Sequence, residues 1–511
     1  MQKVVVGIQT LAKFRKHDYV YVDKTMWAYE LVTAPAYYFL SRPRRFGKSL
    51  FLNTLLEIFS GNKALFEGTF IYDKIEWEKF PVVHLSFEGI MAEEGSFSTN
   101  FIKKLEEYAF ENDIVLDKTN LKTATADLIK GLYKKYNKGV VILIDEYDKP
   151  LLDFLHTPTE AENRKTMRYF FECLKGLDAK IHFVFITGIT KFSQVSLFST
   201  TNNLTDLTLN KNFGEVCGYT KQELEDNFKQ QFLALAENFD ITYDEIMTET
   251  KLWYNGNSWG KEKVYNPFSI ACLFKHEAFK NYWFTSGAPR FLIEILFKNF
   301  NYRLHKDKAL ETTLALGFGS ESINTTALMF QTGYLTITNY DWRSRIYTLD
   351  FPNKEVEESL QMFMLQTFAY NDSVEKIIVI EMYQALVENN MADFIRYTNQ
   401  LFAQIPEPIF IANRESFYHA IIYLSLALVG ITARSEEHTN IGRIDMVIAL
   451  ADRIFIIEYK IADTATGAME QIHAKKYYEK YLHEQKTITL VGIALGATQR
   501  GIVDWIVEEI V

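Results

Sequence analysis

One stretch constrains this chain more than any other: SRPRRFGKS, residues 41–49, set between a short apolar run (Tyr37–Leu40) and a helical pattern, LFLNTLLEIFSG. A strand that turns through glycine into a helix presents backbone amides and a helix N-terminus to an anion. In such a loop Lys48 reaches the β- and γ-phosphates of a nucleotide, and the Ser49 hydroxyl ligates Mg²⁺. Arg45, Phe46 and Gly47 complete the turn, and Arg44 and Arg45 add positive charge beside it. The pattern G-x-x-x-x-G-K-[ST] is met except at its first glycine, where Arg42 stands.

About a hundred residues on, the β-branched run VVILI (Val140–Ile144) ends in Asp145 and Glu146. A strand end is where a second acidic motif belongs, with Asp145 holding Mg²⁺ through water and Glu146 polarising the attacking water. A further apolar run, Ile181–Ile186, ends in Thr187, placed to sense a γ-phosphate. Lys191 and Arg290 are further candidate sensors. Apolar strands separated by helical patterns imply crossover connections, a parallel sheet, and helices on both its faces.

The region from about 215 to 345 reads as more helical. Near its end TTALMFQTGY, LTITNY and SRIYTLDF, then a helix beginning near Asn353, outline helix, hairpin, helix, the plan of a winged helix. Residues 346–402 are mostly helical, and Pro406 and Pro408 mark a boundary. Beyond it the pattern predicts a helix (413–430), two strands (443–450 and 454–461), a helix (466–482), a strand (487–495) and a last helix.

A second chemical cluster lies there. Glu458 and Lys460, two apart on a strand, share a face. The separation 458 − 445 = 13 leaves room for a turn at Ala451-Asp452 that brings Asp445 alongside Glu458. Two carboxylates and a lysine on a buried hairpin are costly unless they bind something. Metal-dependent phosphodiester hydrolysis fits: Asp445 and Glu458 coordinate Mg²⁺, and Lys460 positions a water or stabilises developing charge. Glu415 on the preceding helix supplies a further ligand, Gln471 orients the cluster or touches the DNA backbone, and Lys475 and Lys476 meet phosphates. Glu415 and His419 are four apart on one helix face, a spacing seen in zinc sites; no further histidine is placed to join them, so His419 is taken as a core or surface residue.

Net charge is 55 − 65 = −10, so nucleic acid would have to meet a local basic patch, and a membrane surface is disfavoured. The three cysteines form no CxxC and point to a reducing compartment rather than to a disulfide framework. The first residues lack the apolar run and cleavage site of a signal peptide, and the apolar stretch Ile421–Ile431 is short of the ~20 residues of a membrane span. A cytoplasmic protein is the expectation, with a homo-oligomer left open.

GIQTLAKFRKHDYVYVDKT, YYFLSRPRRFGKSLFLNTL, VVILIDEYDKP, FVFITGITKFSQVSLFSTTNNL, YNGN and VYNPFSI resemble a bacterial family of AAA-ATPase-like proteins. That family also carries arginine at the first loop glycine. GRIDMVIALADRIFIIEYKI with QIHAKKYYEKY resembles the PD-(D/E)XK nuclease superfamily domain that follows it, with Ile444 where the name has proline. The resemblance implies an α/β chain: a P-loop ATPase domain (1–215), a helical lid and winged-helix-like region (216–345), a helical connector (346–402) and a restriction-endonuclease-like α/β domain (403–511). It implies Lys48 and Ser49 as nucleotide-loop residues, Asp145 and Glu146 as the second acidic motif, and Glu415, Asp445, Glu458, Lys460 and Gln471 as the nuclease core. The expected function is an ATP- and Mg²⁺-dependent ATPase coupled to a nuclease acting on nucleic acid, DNA first. The alternative is a signalling NTPase switch whose C-terminal domain binds nucleic acid or a partner without cutting.

Overall fold

Tyr37–Ser41 (β1) is buried at every residue, as a strand flanked by neighbours on both sides must be. In the computed structural model it lies in a parallel five-stranded sheet of order β2-β3-β4-β1-β5. The others are Val82–Ser86 (β2), Val140–Asp145 (β3), Ile181–Gly188 (β4) and Leu204–Asp206 (β5). The strand bearing the acidic pair is thus separated from the loop strand by β4. The structure describes residues 2–91, 93–155, 157–191, 204–283, 307–315, 324–369, 376–405, 414–429, 431–438, 442–484, 486–496 and 500–510. Arg290, the second candidate sensor, lies outside them.

The chain divides into two compact units, Met1–Leu292 with Leu304–Val356, and Ile293–Arg303 with Glu357–Val511. The first holds the parallel sheet. Its helices Lys221–Asn238, Tyr243–Tyr254 and Pro267–His276 surround a core that includes Leu224, Phe228, Phe232, Ile246 and Tyr254. Capping boxes at Thr220/Glu223 and Thr242/Glu245 start the first two of these helices. The helix–hairpin–helix succession falls where the pattern places it: helix Thr325–Thr332, strands Thr336–Asp341 (β7) and Ile346–Asp350 (β8), and helix Lys354–Ala369. A strand that the pattern did not announce, Asp307–Leu310 (β6), pairs antiparallel with β8.

In the second unit a five-stranded sheet runs β13-β12-β11-β10-β9. Arg443–Ala449 (β10) and Arg453–Ile461 (β11) form the expected hairpin, and Thr487–Leu495 (β12) lies parallel to β11 across helix Ala465–Ala474. Gly492 lets that helix press close: a Cβ there would stand 2.5 Å from the Ala465 carbonyl oxygen. Helix Glu415–Leu428 packs on β11 and on a strand not expected, Thr432–His438 (β9). The final element is also a correction. Ile502–Ile510 is a strand (β13), antiparallel to β12, and not a helix. Its apolar residues do not alternate, and what selects the strand is the free edge of β12, whose amides and carbonyls it satisfies. The helix expected over 466–482 ends at Ala474 and gives way to a 3₁₀ segment, Tyr477–Glu484. No helix among the described residues is long and apolar enough to cross a membrane.

Candidate functional sites

At the first site, Gly47 takes φ 93°, a left-handed value that glycine adopts without strain, and caps helix Lys48–Phe59. The preceding residue, Phe46, is an anchor: its ring packs edge-on against Trp259, 5.6 Å away. Arg45 also has positive φ (67°), and its guanidinium sits 4.7 Å from the Phe268 ring. Arg42 is fully buried, at 0% exposure. Its guanidinium donates to the carbonyls of Ser41 (2.8 Å), Thr208 (3.0 Å) and Phe213 (2.8 Å) and lies 4.1 Å from the Trp259 ring. Burial pulls its pKa down to about 10. The arginine that replaces glycine thus ties the loop to residues 208–213.

Lys48 is buried, and burial lowers its pKa. Its ammonium donates to the Arg42 and Pro43 carbonyls, each at 2.9 Å, so it caps the loop from within. Asp145 accepts from the Thr187 hydroxyl and from the Glu146 amide (3.1 Å). Glu146 has φ 53°. Burial first, then a hydrogen bond with Glu88 and repulsion from it, raise the Glu146 pKa to about 7. A cavity of ≈ 290 Å³ opens here, lined on its polar side by Arg44, Arg45, Lys48, Ser49 and Glu146. Val6, Ile8, Phe228, Phe268 and Ala271 contribute apolar lining. Lys191, the other candidate sensor, forms an ion pair with Asp206 at 2.8 Å.

Two groups at this site escaped the sequence reading. Glu88 follows β2, and Lys149 stands 3.4 Å from its carboxylate. Asp148 is buried and accepts from the Ile189 amide (2.9 Å) and from the Thr190 amide (2.7 Å) and hydroxyl (2.8 Å). The DEYDKP run showed acidic residues but not which of them the fold would commit to a neighbouring loop.

At the second site the ladder between β10 and β11 ends at Met446–Ile457. Just beyond, the Asp445 carboxylate accepts the Tyr459 amide at 2.9 Å, so the strands part where the carboxylates sit. Lys460 Nζ is 3.4 Å from Glu458 Oε1, and Gln471 Nε2 donates to the same oxygen. Glu458 Oε2 has no hydrogen-bond partner among the described residues, although Glu458 is only 1% exposed. Burial first, then repulsion by Asp445, pushes the Glu458 pKa up to about 8, and burial also raises that of Asp445. Tyr477, given no role by the sequence, takes a 3.5 Å contact from Gln471 and donates to the Arg443 carbonyl at 2.7 Å.

His419 comes closer than its spacing suggested. One ligand atom each from Glu415, His419 and Asp445 lie within 4.8 Å of one another. Lys475 and Lys476 are exposed, with Lys476 3.2 Å from Glu479. The structure therefore brings Asp445, Glu458, Lys460 and Gln471 together, with Glu415 beside Asp445. The buried Glu458 oxygen without a donor and the hard carboxylate set fit a divalent cation of the Mg²⁺ type.

The family model described as Predicted AAA-ATPase matches residues 5–198, and that of the PD-(D/E)XK nuclease superfamily matches residues 413–505. A protein of Azotobacter chroococcum mcd 1, called an uncharacterized protein in the vnfD 5' region, is 35% identical over 528 aligned residues. The match covers 100% of this chain and 99% of that protein.

Proposed function

This chain belongs to the family of predicted AAA-ATPases that carry a PD-(D/E)XK nuclease superfamily domain at the C-terminal end, and on that premise we propose that it hydrolyses ATP at the Lys48 loop and cleaves nucleic-acid phosphodiesters at the Asp445–Glu458 cluster. The observation that carries the nuclease reading is Glu458: a buried carboxylate with one oxygen shared by Lys460 and Gln471 and the other without a donor among the described residues.

At the loop, the amides behind Gly47 receive the phosphates, and Lys48 exchanges two carbonyl partners for phosphate oxygens. Ser49 and Asp145 would hold the Mg²⁺ that accompanies ATP. Thr187, committed to Asp145, fixes that carboxylate's rotamer. Glu146 accepts a proton from the attacking water, which requires its ionised form.

At the cluster, Asp445, Glu458 and Glu415 would hold Mg²⁺, which when bound neutralises phosphate charge and acidifies water. Lys460 holds the water or the developing oxyanion. Gln471 orients Glu458, and Tyr477 steadies Gln471. Lys475 and Lys476 steer the phosphate backbone.

The test is cleavage of labelled single- and double-stranded DNA and RNA, with and without Mg²⁺ and ATP. Asp445→Ala should abolish cleavage and leave phosphate release intact, and cleavage that survives it sinks the nuclease reading. Lys48→Ala should abolish phosphate release. If it leaves cleavage in ATP unchanged, coupling fails and the nuclease stands.

A further inference from the structure

The turn joining β7 and β8 carries Trp342, Arg343, Ser344 and Arg345. It is held from inside: Asp341 accepts the Arg343 amide at 3.0 Å and the Ser344 hydroxyl at 2.6 Å, and Arg345 takes φ 55°. Asp341 is thereby occupied by one backbone and one side-chain donor of the turn, and the neighbouring Glu311 accepts the Tyr340 hydroxyl at 3.1 Å. What the turn presents outward is an indole at 71% exposure with the Arg343 guanidinium 5.3 Å from its ring, and the exposed Arg345. Along the hairpin, Tyr340 and Tyr347 stack at 4.3 Å, with the Lys211 ammonium 5.4 Å from the Tyr340 ring.

The helix before the hairpin is buried from Ala327 through Thr332, so it has no face with which to enter a groove. The turn is exposed at each of its four residues. An exposed indole flanked by arginines, on a chain of net charge −10, is a local exception to the molecule's overall field. An unstacked base offers a π-face to the indole, and the phosphates on either side meet the guanidinium groups. Paired bases in a duplex have both faces occupied.

We propose that the Trp342–Arg345 turn binds single-stranded nucleic acid, with a base stacked on Trp342 and flanking phosphates held by Arg343 and Arg345. The inference rests on the nucleic-acid reading of this chain only for the class of ligand. It is tested by binding alone, on the full chain in EDTA, where no cutting occurs. A fluorescent single strand of about 12 nucleotides and a blunt duplex of the same sequence are titrated by anisotropy at several salt concentrations. Trp342→Ala should raise Kd for the single strand about 5- to 140-fold, the range to which ~1–3 kcal/mol of base stacking converts at ~1.4 kcal/mol per tenfold. Trp342→Phe should restore most of the affinity. Arg343→Ala should lower the slope of log K against log salt by about 0.7. Single-strand affinity unchanged by Trp342→Ala, or equal loss on the duplex, overturns the proposal. A chain that binds through Trp342 yet cuts nothing leaves this inference standing and removes the nuclease, whereas one that cuts while Trp342→Ala binds normally does the reverse.

Discussion

Arg42 and Glu355 are charged groups that the fold has taken inside, and each does so by supplying partners. Arg42 has three carbonyls and an indole around it. Restoring the loop glycine with Arg42→Gly should therefore harm the protein: the three carbonyls lose a charged donor and Trp259 loses its cation. We expect a loss of about 3 kcal/mol or more in the urea transition of the unit that holds the loop, together with weaker nucleotide binding. Glu355 accepts from the Tyr282 and Trp283 amides (2.7 and 2.8 Å) and from the Ser269 hydroxyl. Burial outweighs these donors and raises its pKa from 4.5 to about 7. The folded state then binds more protons than the unfolded state between those two values, so stability falls as pH rises from about 4.5 to 7. Denaturant midpoints at pH 5 and pH 7.5 should differ less in Glu355→Gln than in the wild type.

Among the strands, β3 and β4 are legible because nearly all of their residues are buried, and β7 and β8 because a turn separates two short apolar-bearing runs. VVILI and IHFVFI are β-branched and aromatic runs of strand length, and β3 and β4 run where those residues lie. The elements the sequence hid are settled by pairing rather than by burial. TARSEEH has no apolar run, yet β9 forms because β10 offers an edge. IVDWIVEEI puts apolar residues on both strand faces, Ile502, Ile506 and Ile510 on one and Val503, Trp505 and Val507 on the other, so no apolar/polar alternation marks it as a strand. At the sites, Asp445, Glu458 and Lys460 were visible because strand spacing is rigid. His419 reads from the sequence as a core or surface residue and Tyr477 is given no role, since their approach depends on how helix Glu415–Leu428 and the segment after Ala474 meet the sheet. That dependence gives a test. Gly492→Ala would put a methyl 2.5 Å from the Ala465 carbonyl and 2.9 Å from the Met469 amide. The helix bearing Gln471 must shift, at a cost of about 1–3 kcal/mol. Thermal melts should fall, and cleavage should drop more than binding does.

For the whole molecule, the division into two compact units has a thermodynamic signature. Such a chain is not expected to unfold in one step. Calorimetry should resolve two transitions, of which ATP with Mg²⁺ raises one in the wild type and not in Lys48→Ala. At 100 times its Kd a ligand adds about 2.7 kcal/mol to the unit that binds it. Mn²⁺ or Mg²⁺ without nucleotide should raise the other, and Asp445→Ala should cancel that rise. The guanidinium that replaces the first loop glycine reaches a carbonyl 171 positions later in the chain, that of Phe213. A loop whose curvature is stored that far along the polypeptide escapes any search that insists on glycine. Loops built this way are better sought by a paired signature: an arginine at the loop's head and a distant tryptophan to receive it.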